Sequence, residues 1–172
     1  EKGRTFMWMF SGNITQDYIG QSIVYNPETI TIDGQEYNPM QYSTYENMNG
    51  SSSLRTHLSY GFPISPIKCN LNVMVGYSWT RTPSKINNVL NITSNMGDNA
   101  SLSLGSNISE NIDFTLSWGG TFNQANNSLS TQGKNEYFNH NVEASFKAVF
   151  LKGFTFTASA NYTQYIGYTN DY

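Results

Sequence analysis

From Cys69 to Thr80 apolar and polar residues alternate without a break. Odd positions read Cys69, Leu71, Val73, Val75, Tyr77 and Trp79, and even positions read Asn70, Asn72, Met74, Gly76, Ser78 and Thr80. A period of two marks an extended strand with unlike faces. The same period sets Ile112, Phe114, Leu116, Trp118, Gly120 and Phe122 against Asp113, Thr115, Ser117, Gly119, Thr121 and Asn123. It recurs with Phe154, Phe156, Ala158, Ala160 and Tyr162 against Thr155, Thr157, Ser159, Asn161 and Thr163. Less regular runs pass through Phe6, Trp8 and Phe10, through Leu54, Leu58, Tyr60 and Phe62, through Leu102 and Leu104, and through Val142, Ala144, Phe146, Ala148 and Phe150. Together they predict about seven strands, near residues 4–26, 41–62, 69–82, 88–108, 111–126, 136–150 and 154–168. Nowhere do apolar residues repeat at i, i+3, i+4 and i+7, so no helix is expected.

The connections divide into two kinds. Tight turns are expected at 63–68, 109–111 and 151–153, and longer polar loops at 26–40, 81–88 and 126–135. Short turns at one end and long loops at the other describe an antiparallel up-and-down meander, all-β in class. A transmembrane β-barrel has this asymmetry. A soluble β-sandwich is the alternative.

Composition sharpens that choice. The 172 residues are 12% charged and 15% aromatic, whereas a soluble domain carries about 25% charged residues. Mean hydropathy is nonetheless negative, because 22 Asn, 20 Ser and 16 Thr make up a third of the chain. On a soluble sheet the wet face usually carries Lys and Glu that block edge pairing. A lumen lining needs them less. The clean runs are also ten or eleven residues long, which suits a tilted membrane strand of about 9–11 residues better than a sandwich strand of about 5–6. Phe62, Phe114, Phe150, Phe154 and Phe156 lie beside the tight turns, and Trp79, Trp118, Phe122, Tyr162 and Tyr165 lie toward the opposite strand ends. Two aromatic bands around a smaller apolar middle resemble interfacial girdles.

Other classes are excluded. Nine basic residues against twelve acidic ones, with no basic run, leave no nucleic-acid surface. The single Cys69 excludes an intrachain disulfide framework and a cysteine-rich zinc site. The chain starts at Glu1 with no charged-then-apolar leader, so it reads as a processed product or an excised piece.

Candidate chemistry is sparse. His57 shares the polar face with Arg55 and Ser59, as a lumen-lining residue would, and His140 falls on the apolar parity, as an interfacial one would. Cys69 reads as a small apolar residue. Glu143 and Lys147 share a face but lie about 13 Å apart along a strand, so their partners are expected on neighbouring strands. Asp33-Gly34 and Gly97-Asp98-Asn99 are turn signals without the alternating acids of a calcium loop. The Asn-x-Ser/Thr matches, Asn91 among them, are what this composition yields by chance. No catalytic set, metal site or cofactor motif stands out, so no enzyme is expected. Tyr37, Tyr42 and Tyr45, in and beside the 26–40 loop, are the candidate ligand-binding residues. Their rings suit stacking on a sugar or cofactor ring, and packing within the loop is the plainer account.

Several phrases carry a family resemblance. Leu58-Ser59-Tyr60-Gly61-Phe62-Pro63 is followed by Tyr77-Ser78-Trp79-Thr80-Arg81-Thr82-Pro83, then by Ser106-Asn107-Ile108-Ser109-Glu110-Asn111-Ile112-Asp113-Phe114. Asn135-Glu136-Tyr137-Phe138-Asn139-His140 and Lys152-Gly153-Phe154 come next. In this order and spacing, over residues 54–168, they resemble the carboxy-terminal half of TonB-dependent-receptor-like outer-membrane β-barrel proteins of Gram-negative bacteria. The resemblance implies a barrel of the 22-strand class and an outer-membrane location; the alternative soluble sandwich would instead lie at the cell surface or in the periplasm. It implies outer-membrane lipid as a partner and transport of an unidentified nutrient. TonB coupling would run through parts this chain lacks, since nothing here resembles the plug or the TonB-engaging motif. Seven strands are too few for such a barrel, and Thr169-Asn170-Asp171-Tyr172 reads as a loop, not a closing strand. The chain is therefore expected to be a barrel fragment whose edges are covered by the remaining strands or a second copy. The alternative function is a soluble binding module, carbohydrate-binding or adhesin-like.

Overall fold

Period two becomes eleven strands in the computed structural model, which describes residues 3–106, 109, 111–130, 133–151 and 153–167. They are β1 (Thr5–Thr15), β2 (Tyr18–Tyr25), β3 (Ile30–Ile32), β4 (Gln35–Tyr37), β5 (Gln41–Met48), β6 (Ser51–Ile64), β7 (Cys69–Ile86), β8 (Val89–Ser106), β9 (Ile112–Asn127), β10 (Asn135–Phe150) and β11 (Phe154–Ile166). One 3₁₀ turn, Ser65–Ile67, joins β6 to β7. No helix among the described residues is long and apolar enough to cross a membrane.

The main sheet runs β1-β6-β7-β8-β9-β10-β11, each neighbour antiparallel. β1 and β2, with β5 and β6, form one long hairpin. Its register passes unchanged across a break at residues 16–17 and 49–50, since Thr15 faces Ser51 and Tyr18 faces Met48. Asp17 and Gly50 hold positive φ there (50° and 95°). Beyond the break the β2–β5 arm turns so that β2, not β5, lies against the extension of β7. Ser22 pairs with Lys85 and Ile23 with Ile86, the one parallel contact in the sheet. The side chains of Ser22 and Met48 are buried here, beside Gly20 and Pro83.

Register aligns the parities of all the strands. One row runs Phe6, Tyr60, Val73, Leu102, Trp118, Val142, Tyr162. The next row toward the turns runs Phe62, Leu71, Leu104, Leu116, Ala144, Ala160. The opposite face carries rows such as Met7, Ser59, Met74, Ser101, Gly119, Asn141, Thr163. None of the described residues covers the apolar face. Phe6 and Trp8 are 65% and 64% exposed, and the only buried hydrophobic residues among those described are Met48 and Cys69. The accessible surface is 12691 Å², against about 8,500 Å² expected for a folded monomer of 19.3 kDa.

Several expectations change. Residues 4–26 and 41–62 each divide into two strands at the Asp17 and Gly50 break. The 26–40 loop carries its own small hairpin, β3–β4, turned by Asp33 and Gly34 at positive φ. Residues 81–88 are not a loop: β7 continues to Ile86 and reverses at Asn87-Asn88. Pro83 fits inside this strand for a specific reason. Its partner Ile92 uses both backbone groups on Ser128, accepting from the Ser128 N–H and donating to Ser128 Oγ. Pro83 therefore sits in a non-hydrogen-bonded pair, and its backbone faces the gap between the last β6 pair, at Arg81, and the first β2 pair, at Lys85. No N–H is needed there. Tyr165 faces Asn139 on the polar face, so it is not part of the upper aromatic band. Asn107, Ile108 and Glu110 of the hairpin phrase, Lys152, Tyr168 and Tyr172 lie outside the described residues.

Asn87 and Asn88 have φ of 49° and 64°, the geometry of a two-residue type I′ turn. We expect Asn88→Val to destabilise the β7–β8 hairpin by about 1–2 kcal/mol, because a β-branched residue is strained at this φ, and Asn88→Gly to be tolerated. Denaturant midpoints of the refolded variants measure both.

Candidate functional site

The polar face is built on pairings between glycine and asparagine. A Cβ at Gly76 would meet Asn99 Oδ1 at 2.1 Å, one at Gly61 would meet Asn72 Oδ1 at 2.5 Å, and one at Gly119 would meet Asn141 Oδ1 at 2.8 Å. Each asparagine is the direct cross-strand partner of its glycine. The carboxamides thus lie across the backbone where a neighbouring side chain is missing, and the face is polar, low and almost uncharged.

Two adjacent rows of this face enclose a shallow hollow. One runs Arg55, Ser78, Gly97, Asn123 and the other His57, Gly76, Asn99, Thr121. Gly76 and Gly97 stand diagonally at the centre, so the floor is backbone. β6 and β9 supply the walls. The hollow measures about 300 Å³ and is lined by these eight residues with Thr56 and Tyr77. Ser78 Oγ donates to the Gly97 carbonyl at 3.3 Å. Arg55 is exposed and His57 half-buried. Sequence alternation places Arg55 and His57 on one face, but the glycine floor depends on the offset between strands and is invisible along one strand.

The three candidate tyrosines are not gathered. Tyr37 lies on β4, its hydroxyl donating to Gln35 Oε1 at 3.0 Å. Tyr42 faces Val24 and Tyr45 faces Gln21 on β5, three residues apart and therefore on opposite faces. Tyr45 is 70% exposed. No single ring can stack on both Tyr42 and Tyr45.

The remaining candidates have structural partners. His140 pairs through Nε2 with Gln164 Oε1 at 3.0 Å and lies between the rings of Phe138 and Tyr162. Cys69 is buried with Sγ donating to the Ile67 carbonyl at 3.3 Å. Lys147 stands opposite Asp113, and Glu143 between Ser117 and Asn161. Asn91 is buried, its amide donating to Ser84 Oγ and its oxygen accepting from Ser128 and Leu129. No group of three or more His, Cys, Asp or Glu among the described residues could hold a metal ion.

Electrostatics fasten the arm. Lys85 on β7 donates to Glu46 on β5 at 2.5 Å. That bond, with a second from Ser22, holds the Glu46 carboxyl below its ordinary 4.5, against a smaller opposing effect of burial. A carboxylate with a lowered folded value stabilises fully above its unfolded value and loses that contribution as pH falls through the folded one. We therefore expect the arm to loosen below about pH 4. The protection factor of the Asn87 amide, which donates to Ile23 at 2.8 Å, should fall there relative to pH 6 once the intrinsic pH dependence of exchange is divided out, and Glu46→Gln should flatten the difference. Neither a family model, nor a curated protein, nor a solved structure matches the chain.

Proposed function

We propose that the chain is a wall segment of an outer-membrane β-barrel, of the TonB-dependent receptor and transporter type, serving an unidentified nutrient. The observation that carries the membrane part is the slant of the apolar belt. The row through Phe62 on β6 reaches β11 at Ala160. The lowest ring on β11, Phe154, lies six residues further toward the turns. Five strand spacings of about 4.8 Å and six residues of about 3.3 Å give a slope of about 40°. The upper edge falls the same way. The row through Trp79 on β7 reaches β10 at Glu136, but the top ring there is Phe138, two residues lower. On β11 the top ring, Tyr162, is four residues below Ile166, the partner of Phe138. Two parallel edges oblique to the strands are what a flat apolar slab imposes on strands tilted by about 35–45°. Between the edges, β6–β11 carry no Asp, Glu, Lys or Arg on this face, and Asp98, between Tyr77 and Phe122, stands level with the upper edge.

Strand length fits the same reading. β7 and β8 have 18 residues each, about 60 Å of strand, so the hairpin continues well beyond the roughly 25 Å apolar band. The β2–β5 arm braces that extension. β1 and β11 do not pair with one another and would join further strands of the barrel. The receptor type rests on the sequence phrases named above, and energy coupling would run through parts outside this chain.

The test is partition. The chain should co-sediment with phospholipid vesicles, and brominated lipid should quench Trp118. Leu102→Lys, at the belt centre, should weaken association by about 2–4 kcal/mol, while Ser103→Lys on the other face has little effect. A monodisperse monomer in plain buffer, indifferent to vesicles, would overturn the reading in favour of a soluble binding module. The coding sequence on either side should continue the alternation.

A further inference from the structure

Arg55 presents a guanidinium with no acceptor in hydrogen-bond reach among the described residues. Its row and the next hold no acid: the other lining side chains are Ser78, Asn123, His57, Asn99 and Thr121. Glu143, the nearest acid on this face of β10, lies four strands away from His57 and four residues lower, about 23 Å off. A planar fork of donors without a counter-charge is complementary to a two-oxygen anion. Neither Gly76 nor Gly97 carries a Cβ; the Asn99 carboxamide lies over the first and Ser78 Oγ beside the second, so a small group reaches the backbone once the Asn99 carboxamide swings aside. The carboxamides of Asn99 and Asn123 and the hydroxyl of Thr121 surround it with uncharged donors.

We propose that Arg55, His57 and the glycine-floored hollow form a binding site for the oxyanion of a small polar solute, a carboxylate or a phosphate. Arg55 takes two oxygens, His57 borders the same anion, and the amide of Asn99 moves off Gly76 to admit the group. The site belongs to the polar face and does not depend on what covers the other one. It therefore stands or falls separately from the membrane reading.

Nuclear magnetic resonance of the isotope-labelled full chain, with detergent if needed, tests it. Acetate and inorganic phosphate are titrated separately against sodium chloride of equal ionic strength, which tells the two anion sources apart. The Arg55 Nε–H and the Gly76 and Gly97 amides should shift and saturate with at least one anion but not with chloride. Arg55→Gln should weaken binding by about tenfold or more, and Arg55→Lys by less, because it keeps the charge and loses the fork. Gly76→Ala, which leaves Arg55 in place but fills the floor, should also weaken it. Shifts that never saturate, that chloride reproduces, or that survive Arg55→Gln would overturn the proposal. If Arg55→Gln does not fold, the Gly76→Ala and chloride comparisons decide alone.

Discussion

Cross-strand register is the constraint on which everything else in this molecule depends. A single-layer sheet has no second layer to correct a misplaced strand, and a slip of one residue turns a whole strand over. Here the seven strands of the main path present the same parity to the same side. The connections enforce this: the 3₁₀ turn at Ser65–Ile67, the two-residue reversal at Asn87-Asn88, and the reversal from Phe150 to Phe154, where the Gly153 N–H donates to Phe150. A slipped β9 would put Phe114, Trp118 and Phe122 among the asparagines and replace them with Asp113 and Ser117. The apolar belt and the polar hollow are two results of one alignment.

That alignment also explains why a third of the chain is Asn, Ser and Thr. Asparagine is short enough to lie flat across a neighbouring glycine and polar enough to face water, without adding a charge. Asn72 over Gly61, Asn99 over Gly76 and Asn141 over Gly119 repeat this arrangement. The low charge of the sequence is then a property of one face, because the other carries aromatic and aliphatic groups. Several of the charges sit at particular places: Glu46 and Lys85 at the arm, Asp113 and Lys147 facing each other near the turns, and Arg55 beside the hollow.

Features with a period of two were legible in the sequence, and features that join distant strands were not. Cys69 to Trp79, Ile112 to Phe122 and Phe154 to Tyr162 name their own faces because alternation is local. The meander and its tight turns followed from the same pattern. The continuation of β7 through Pro83 was not legible, since a proline fits inside a strand only where its backbone meets a gap in the ladder, and only the β6-to-β2 handover creates that gap. The breaks at Asp17 and Gly50 are conformational and leave the alternation on either side intact. Tyr42 and Tyr45 looked like one cluster by proximity, although an odd spacing in a strand separates them. The diagonal of Gly76 and Gly97, and the pairing of Glu46 with Lys85, need the register between strands.

The parallel contact of β2 with β7 has a consequence for the order of events in folding. Every other pairing joins strands through the hairpin that connects them, so the sheet can close by successive zipping with short chain excursions. β2 reaches β7 across about sixty residues, and its seat includes Asn87, which exists as a docking point only once the β7–β8 reversal has formed. That contact therefore forms only after the β1–β6, β6–β7 and β7–β8 pairings have brought its two sides together. The arm should therefore be the last part of the structure to assemble and the first to open, so that the distal end exchanges between docked and free states while the sheet beneath it stays intact.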